Sequence, residues 1–200
     1  MKKAKAVTAA LAVATFAAAA QATVFVDERF NGSVPPAGWF NYSQYGGYWE
    51  RSMLEGPAPP FALATAAAPW NQPEVAIACM ATYDMSVPVN NILYYRFHQR
   101  FTYGVYSTGL SVAFYLYYPD SSQKFHERTE LWNTRWVIVA GSAALTRAAP
   151  VRAAWRCTGK AVSSMHPGGC CLWLDTVQLS DVPFTAAAPI SLGRIRALFR

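Results

Sequence analysis

The stretch that decides the fold is Cys170 to Leu179, CCLWLDTVQL. Leu172 and Leu174 fit one face of a β-strand, whose side chains alternate with a period of two. Val177 and Leu179 return to that face only if one extra residue is inserted, as in a β-bulge, and Asp175 and Thr176 stand at the break. An apolar strand with a phase change of this kind predicts the last strand of a β-sandwich.

Other segments supply the remaining strands. Thr23 to Phe30, TVFVDERF, alternates and ends in the turn signal Asn31-Gly32. Two prolines, Pro35 and Pro36, then fix an extended approach and Gly38 permits a tight bend, which delivers Trp39 onto the edge of the core. Tyr48 to Arg51 predicts a short strand. Glu55 to Pro73 is rich in Pro and Ala without a sustained period and predicts a long surface connection carrying Trp70. Val75 to Met80 resumes strand character. Ile92 to Phe101 and Leu110 to Tyr118 alternate clearly. Leu93, Tyr95, Phe97 and Phe101 make one core face, and Leu110, Val112, Phe114 and Leu116 the other. Lys124 to Trp132 and Thr134 to Val139 predict two shorter strands, with Trp136 and Ile138 on one face, and Ala140 to Ala149 a connection. In the next strand Val151, Ala153, Trp155 and Cys157 alternate against Arg152, Ala154 and Arg156. No long helix and no internal repeat interrupts this order, so the chain predicts an all-β fold, an antiparallel β-sandwich, which the family resemblance given below makes a jelly roll.

Residues 1–22 differ from the rest. Lys2, Lys3 and Lys5 precede an apolar run from Ala6 to Ala20, and Ala20-Gln21-Ala22 makes a cleavage site, the three parts of a signal peptide. The run is too short and too Ala-rich for a transmembrane anchor, so no transmembrane segment is expected after cleavage. A single domain is expected over 23–182, with a linker and short basic amphipathic tail over 183–200. In that tail Leu192, Ile195, Leu198 and Phe199 share one helical face beside Arg194, Arg196 and Arg200, a pattern suited to secretion or anchoring. The expected location is extracellular or on the cell surface.

At 200 residues the chain can bury a substantial core, and 14% charged residues with abundant aromatics exclude a disordered arm. Formal net charge falls from +6 to +3 when the leader takes its three lysines away. The remaining arginines are scattered, which argues against nucleic acid as a partner. In an oxidising compartment Cys79, Cys157, Cys170 and Cys171 are disulfide candidates. Adjacent Cys170 and Cys171 point to opposite faces, so Cys157 is expected to pair with one of them and Cys79 with the other. The cysteines lack CxxC spacing and the histidines are dispersed, which disfavours zinc.

No catalytic motif emerges: no G-x-S-x-G, no H-E-x-x-H, no phosphate-cradling glycine loop. His98, His126 and His166 are dispersed. His126 with Glu127 and Glu130 is the best acid/base cluster, but Glu127 faces away from His126 on a strand. Asp120 sits in a turn and reads as an Asx-turn residue. A glycosidase would need two carboxyls across one cleft, and the sequence offers no such pair, so the chain predicts a non-catalytic module. The outward residues Tyr94, Arg96, His98 and Arg100 of one strand and Tyr115 and Tyr117 of the next would form one basic, aromatic surface if those strands are neighbours. That surface suits sugar stacking, with charge for an anionic glycan.

The order of signals also resembles a known family. Glu28-Arg29-Phe30-Asn31-Gly32 followed by Pro35-Pro36-Ala37-Gly38-Trp39, and the ending Trp173-Leu174-Asp175-Thr176-Val177-Gln178-Leu179, are similar to the opening and closing strands of choice-of-anchor J domains, jelly rolls of secreted bacterial proteins related in look to MAM and carbohydrate-binding modules. The resemblance spans roughly Val24 to Leu179, with specific motifs at its ends and strand rhythm between them. It implies an extracellular or cell-surface binding or adhesion module, with a glycan or another surface component as partner. The alternatives are a glycoside-active enzyme on the same scaffold or a purely structural surface module. In related carbohydrate-binding jelly rolls, acidic residues of the first and last strands hold a structural calcium, which maps to Glu28 and Asp175. Thr176 stands where the family carries a second acid, one carboxylate fewer for a cation that takes six to eight oxygens. The other reading gives Asp175 to Arg29 or to backbone N–H groups at the bulge.

Overall fold

A computed structural model of the chain describes residues 23–53, 60–86, 91–119, 125–130 (backbone), 134–146, 149–163, 165 and 168–184. The leader, the C-terminal tail, Asp120 and His166 lie outside the described residues, as do the side chains of His126, Glu127 and Glu130. The described chain runs through β1 Val24–Glu28, β2 Phe40–Asn41, β3 Tyr48–Ser52, β4 Phe61–Ala66, β5 Ala76–Ala81, β6 Ile92–Tyr103, β7 Ser107–Tyr117, β8 Phe125–Glu130, β9 Val137–Ala144, β10 Arg152–Ala161 and β11 Cys170–Ser180. No helix among these residues is long and apolar enough to cross a membrane.

The strands form two antiparallel sheets packed face to face. One is ordered β3-β4-β11-β6-β9, with β1 also paired to β11; the other is β2-β5-β10-β7-β8. The architecture is the expected jelly-roll sandwich. β11 organises the first sheet. Along one edge it pairs with β6; along the other, Cys170 to Leu174 face β4 and Val177 to Ser180 face β1. The bulge lies where one neighbour gives way to the other. The β6 register slips between Asp175 and Gln178, and Thr176 takes a left-handed φ of 49°. That insertion returns Val177 and Leu179 to the face already occupied by Leu172 and Leu174, and all four are fully buried.

The core between the sheets is aromatic. Trp155 is fully buried and packs against Phe97 edge-on at 5.5 Å and against Phe114 at 5.3 Å. Trp39 stacks on Trp155 at 5.9 Å and meets Phe30 edge-on at 6.2 Å, so the Pro-Pro-Ala-Gly-Trp segment anchors the first strand to the core as its turn chemistry predicts. Gly38 takes the bend with φ +79°. Each such ring removed from water contributes on the order of 1.5–3 kcal/mol.

Three expectations are corrected. The Pro- and Ala-rich connection contains β4, a strand paired on both sides by β3 and β11. FALATA carries little bulk because Phe61, Ala62, Ala64 and Ala66 are fully buried in tight packing, so its strand character comes from neighbours rather than propensity. β9 runs through Ala144, deep into the expected connection; Ile138 is 54% exposed, and Trp136 packs on Phe61 at 5.6 Å. The cysteines are four thiols. Cys79 and Cys171 cannot find the expected partners, because Cys79 belongs to the outward cluster of the five-stranded sheet, whereas Cys171 lies beside Thr65 on the outer side of the six-stranded one. Cys157 and Cys170 do meet, since both point inward from facing sheets. The Cys170 thiol beside it and burial push the Cys157 thiol well up, and Cys170 Sγ donates to the Thr158 carbonyl at 3.1 Å.

Candidate functional site

The outward residues of β6 and β7 part company, because β6 belongs to the six-stranded sheet and β7 to the five-stranded one. Tyr94, Arg96, His98 and Arg100 therefore lie half-buried on one side of the sandwich, while the buried Tyr115 and the half-buried Tyr117 lie on the other. The single surface expected of neighbouring strands does not form. On the first side the Arg100 guanidinium lies 5.0 Å from the centre of the Trp173 ring, and His98 stands in register with Asp175.

Tyr115 and Tyr117 instead join a groove of about 440 Å³ on the outer face of the five-stranded sheet. Its walls include Tyr42, Gln44, Tyr117, Arg152 and Arg156. The floor follows from strand register. Ala154 of β10 lies between Ala81 of β5 and Tyr115 of β7, and Arg156 lies between Cys79 and Ala113. Ala81, Ala113, Tyr115 and Ala154 are buried and form an apolar cluster of their own beneath Phe40, Cys79 and Tyr117. Small side chains in the middle of a sheet, with large ones at its margins, leave a trough. At its far end Gln44 pairs with Ile77 through both backbone hydrogen bonds, 2.7 and 2.9 Å. That pairing requires glycine at position 47, where a Cβ would lie 2.0 Å from the Ile77 carbonyl oxygen.

Arg152 is the strut of the wall. Its Nε donates to Asp84 Oδ1 at 2.5 Å, its Nη1 donates to the Tyr42 hydroxyl at 2.7 Å, and its guanidinium lies 3.7 Å from the centre of the Phe40 ring. Tyr42, from a distant part of the chain, is thereby fixed before any ligand arrives. The Tyr117 hydroxyl stands near the same guanidinium. Burial pushes the Tyr117 hydroxyl up to about 12 against the opposing effect of Arg152, and it pushes the Cys79 thiol up to about 11 against the nearby Arg156. Both groups are neutral at neutral pH. Tyr42, Gln44, Arg152 and Arg156 were not legible as site residues in the sequence. The available signal was the Arg-Ala-Arg alternation of Arg152, Ala154 and Arg156, with its small central residue.

The expected calcium ligands sit near one another in register, since Glu28 pairs with Val177 beside the bulge. The Glu28 carboxylate accepts the Phe30 backbone N–H. Asp175 is 1% exposed; its Oδ1 accepts the Thr176 hydroxyl at 3.0 Å, and its Oδ2 has no hydrogen-bond partner among the described residues. Neither Arg29 nor a backbone N–H serves Asp175, contrary to the alternative expectation. Among the described residues no three His, Cys, Asp or Glu side chains gather into a metal cluster. The unpartnered Oδ2 fits a cation, but two carboxylates alone fall short of a calcium shell, so any further oxygens must be carbonyls or water.

No protein-family model and no curated protein matches the chain. Solved structures do match in fold. The K3 cleaved adhesin domain of Lys-gingipain from Porphyromonas gingivalis is 14% identical with a TM-score of 0.51, over 79% of this chain and 99% of that one. The CBM22-1–GH10 modules of an endo-1,4-β-D-xylanase of Clostridium thermocellum, complexed with xylohexaose, are 11% identical with a TM-score of 0.51, over 83% of this chain and 29% of that one. The CBM22-1–CBM22-2 tandem domain of a Paenibacillus barcinonensis protein is 10% identical with a TM-score of 0.50, over 85% and 49%. At these identities the likeness is one of fold: the chain is a jelly-roll β-sandwich of the architecture that carbohydrate-binding modules and an adhesin domain share.

Proposed function

We propose that the protein is an exported, non-catalytic binding module of the choice-of-anchor J kind that holds a glycan in the groove of its five-stranded sheet. The observation that carries the reading is the trough of small residues walled by Tyr42 and Tyr117, with Tyr42 tied to Arg152. Sugars are bound by ring stacking on aromatic faces combined with hydrogen bonds, and rings held in place beforehand lose little freedom on binding. Tyr42 is 41% exposed and offers a face; Gln44 and the tyrosine hydroxyls offer donors and acceptors. The described lining residues include no carboxylate and no imidazole, the groups that glycoside hydrolysis uses. Export rests on the leader pattern at 1–22.

The test is a glycan array probed with the wild type, a Tyr42→Ala/Tyr117→Ala double variant and Arg96→Ala. The double variant should lose the hits and Arg96→Ala, on the opposite side of the sandwich, should keep them. Absence of any wild-type hit, or loss through Arg96 alone, refutes the proposal.

A further inference from the structure

The two arginines of the groove differ in one respect that bears on the ligand. Arg152 is neutralised by Asp84 and donates to the Tyr42 hydroxyl. Arg156, four residues along the same strand and on the same face, has no acidic partner among the described residues. Its guanidinium lies 5.0 Å from the centre of the Tyr115 ring, and its Nε–H is buried without an acceptor. Its cross-strand neighbours are Cys79 and Ala113. Neither carries negative charge, since the Cys79 thiol is held neutral by burial. No Asp or Glu is among the groove's described lining residues. A guanidinium that no anion answers leaves its capacity for charge-assisted hydrogen bonds unused, and the face of a ring is a weak substitute.

We infer that the glycan held in this groove carries an anionic group, a uronate carboxylate or a sulfate ester, and that this group seats on Arg156. This rests on the carbohydrate-binding reading of the groove and adds the substrate class to it. The planar fork of arginine matches either oxyanion with paired charge-assisted hydrogen bonds. Along β10, Arg152 and Arg156 are separated by four residues, about 13 Å at the rise of an extended strand. A short oligosaccharide therefore lays one ring against Tyr117 and Tyr42 and a neighbouring acidic unit over Arg156. Arg152, with its charge already answered, positions Tyr42.

The experiment is calorimetric titration of the full chain with two matched pairs: galacturonate oligosaccharides against their methyl-esterified forms, and sulfated galactan oligosaccharides against their desulfated forms. The charged member of one pair should bind about tenfold or more tightly than its neutral match, in a salt-dependent way, and the pair that shows this identifies the anion. Arg156→Gln should remove that preference, retain the neutral binding and leave the melting temperature close to the wild-type value, because the replaced cation loses only its contact with the Tyr115 ring and no ion pair among the described residues. Equal affinity for charged and neutral members, or an anion preference that survives Arg156→Gln, overturns the inference. If neutral oligosaccharides still bind and the Tyr42→Ala/Tyr117→Ala variant abolishes them, the groove remains a glycan site without an anion subsite. If no member of either pair binds, the anion subsite and the glycan reading both fall.

Discussion

Thr176 is the residue on which the closing strand turns, and replacing it with glycine separates the two forces that act there. A β-branched residue at φ 49° is strained; a left-handed conformation costs about 1–2 kcal/mol for a non-glycine residue. Glycine relieves that strain but has more backbone freedom to lose on folding, about 0.5–1 kcal/mol. These two effects nearly cancel. What remains is the hydroxyl that Thr176 donates to Asp175 Oδ1, the one hydrogen bond that carboxylate has among the described residues. A carboxylate 1% exposed and stripped of its donor costs about 1–3 kcal/mol. Thr176→Gly should therefore destabilise the domain by about 2 kcal/mol, a fall in melting temperature of about 4–8 °C for a domain of this size. Thr176→Ser keeps the hydroxyl and sheds only the β-methyl, so it should melt at or above the wild type. The assay is thermal unfolding followed by far-UV circular dichroism, with urea unfolding to give the free energies. A glycine variant as stable as the wild type, or a serine variant as damaged as the glycine one, refutes the assignment of the stabilisation to the Thr176–Asp175 hydrogen bond.

Alkaline pH should weaken the fold through the groove. Cys79 titrates near 9.0 when unfolded and about 11 when folded, and Tyr117 near 10.0 and about 12, so both favour the folded state only while protonated. Stability held below pH 9 should decline between about pH 9 and 12, more gently in Cys79→Ser; urea midpoints independent of pH across that window would contradict the burial of these groups. Under oxidising conditions Cys157 and Cys170 are the pair placed to close a bridge, so thiol counting on the unfolded protein should find Cys79 and Cys171 still reactive. Peptide mapping that joins Cys79 to any other cysteine would contradict the face assignments. A calcium ion at Glu28 and Asp175 is proposed from the resemblance and from the unpartnered Oδ2. Calcium should then raise the melting temperature of the wild type but not of Asp175→Asn, and chelator should lower it. No shift with either reagent removes the ion.

Much of this architecture is written along the chain because strand sequences state which side is inward. The phase break at Asp175 and Thr176, the inward sets of β6, β7 and β10, and the arrival of Trp39 on the core all follow from a period of two and from the allowed conformations of Pro and Gly. The same alternation is silent on which strands are neighbours. β6 and β7 are joined by a short turn, the arrangement that most often gives adjacent strands, yet each pairs elsewhere. Both inner faces of a sandwich are equally apolar, so Phe97 and Phe114 serve a hairpin as well as they serve facing sheets, where their rings meet at 5.0 Å across the core. β4 was hidden for a related reason. Its alanines have no strand preference, and only the closeness of β3 and β11 makes an extended FALATA stable.

By itself, then, the sequence determined an antiparallel sandwich closed by a bulged strand with Asp175 and Thr176 at the bulge. Tertiary structure alone decided which outward residues share a face. It separated Arg96 from Tyr115 and brought Tyr42 to Arg152 across 110 positions. The physical reason is that inward and outward are local properties of a strand, whereas a groove is made by cross-strand neighbours, and those are fixed only when every strand has found its place in a sheet.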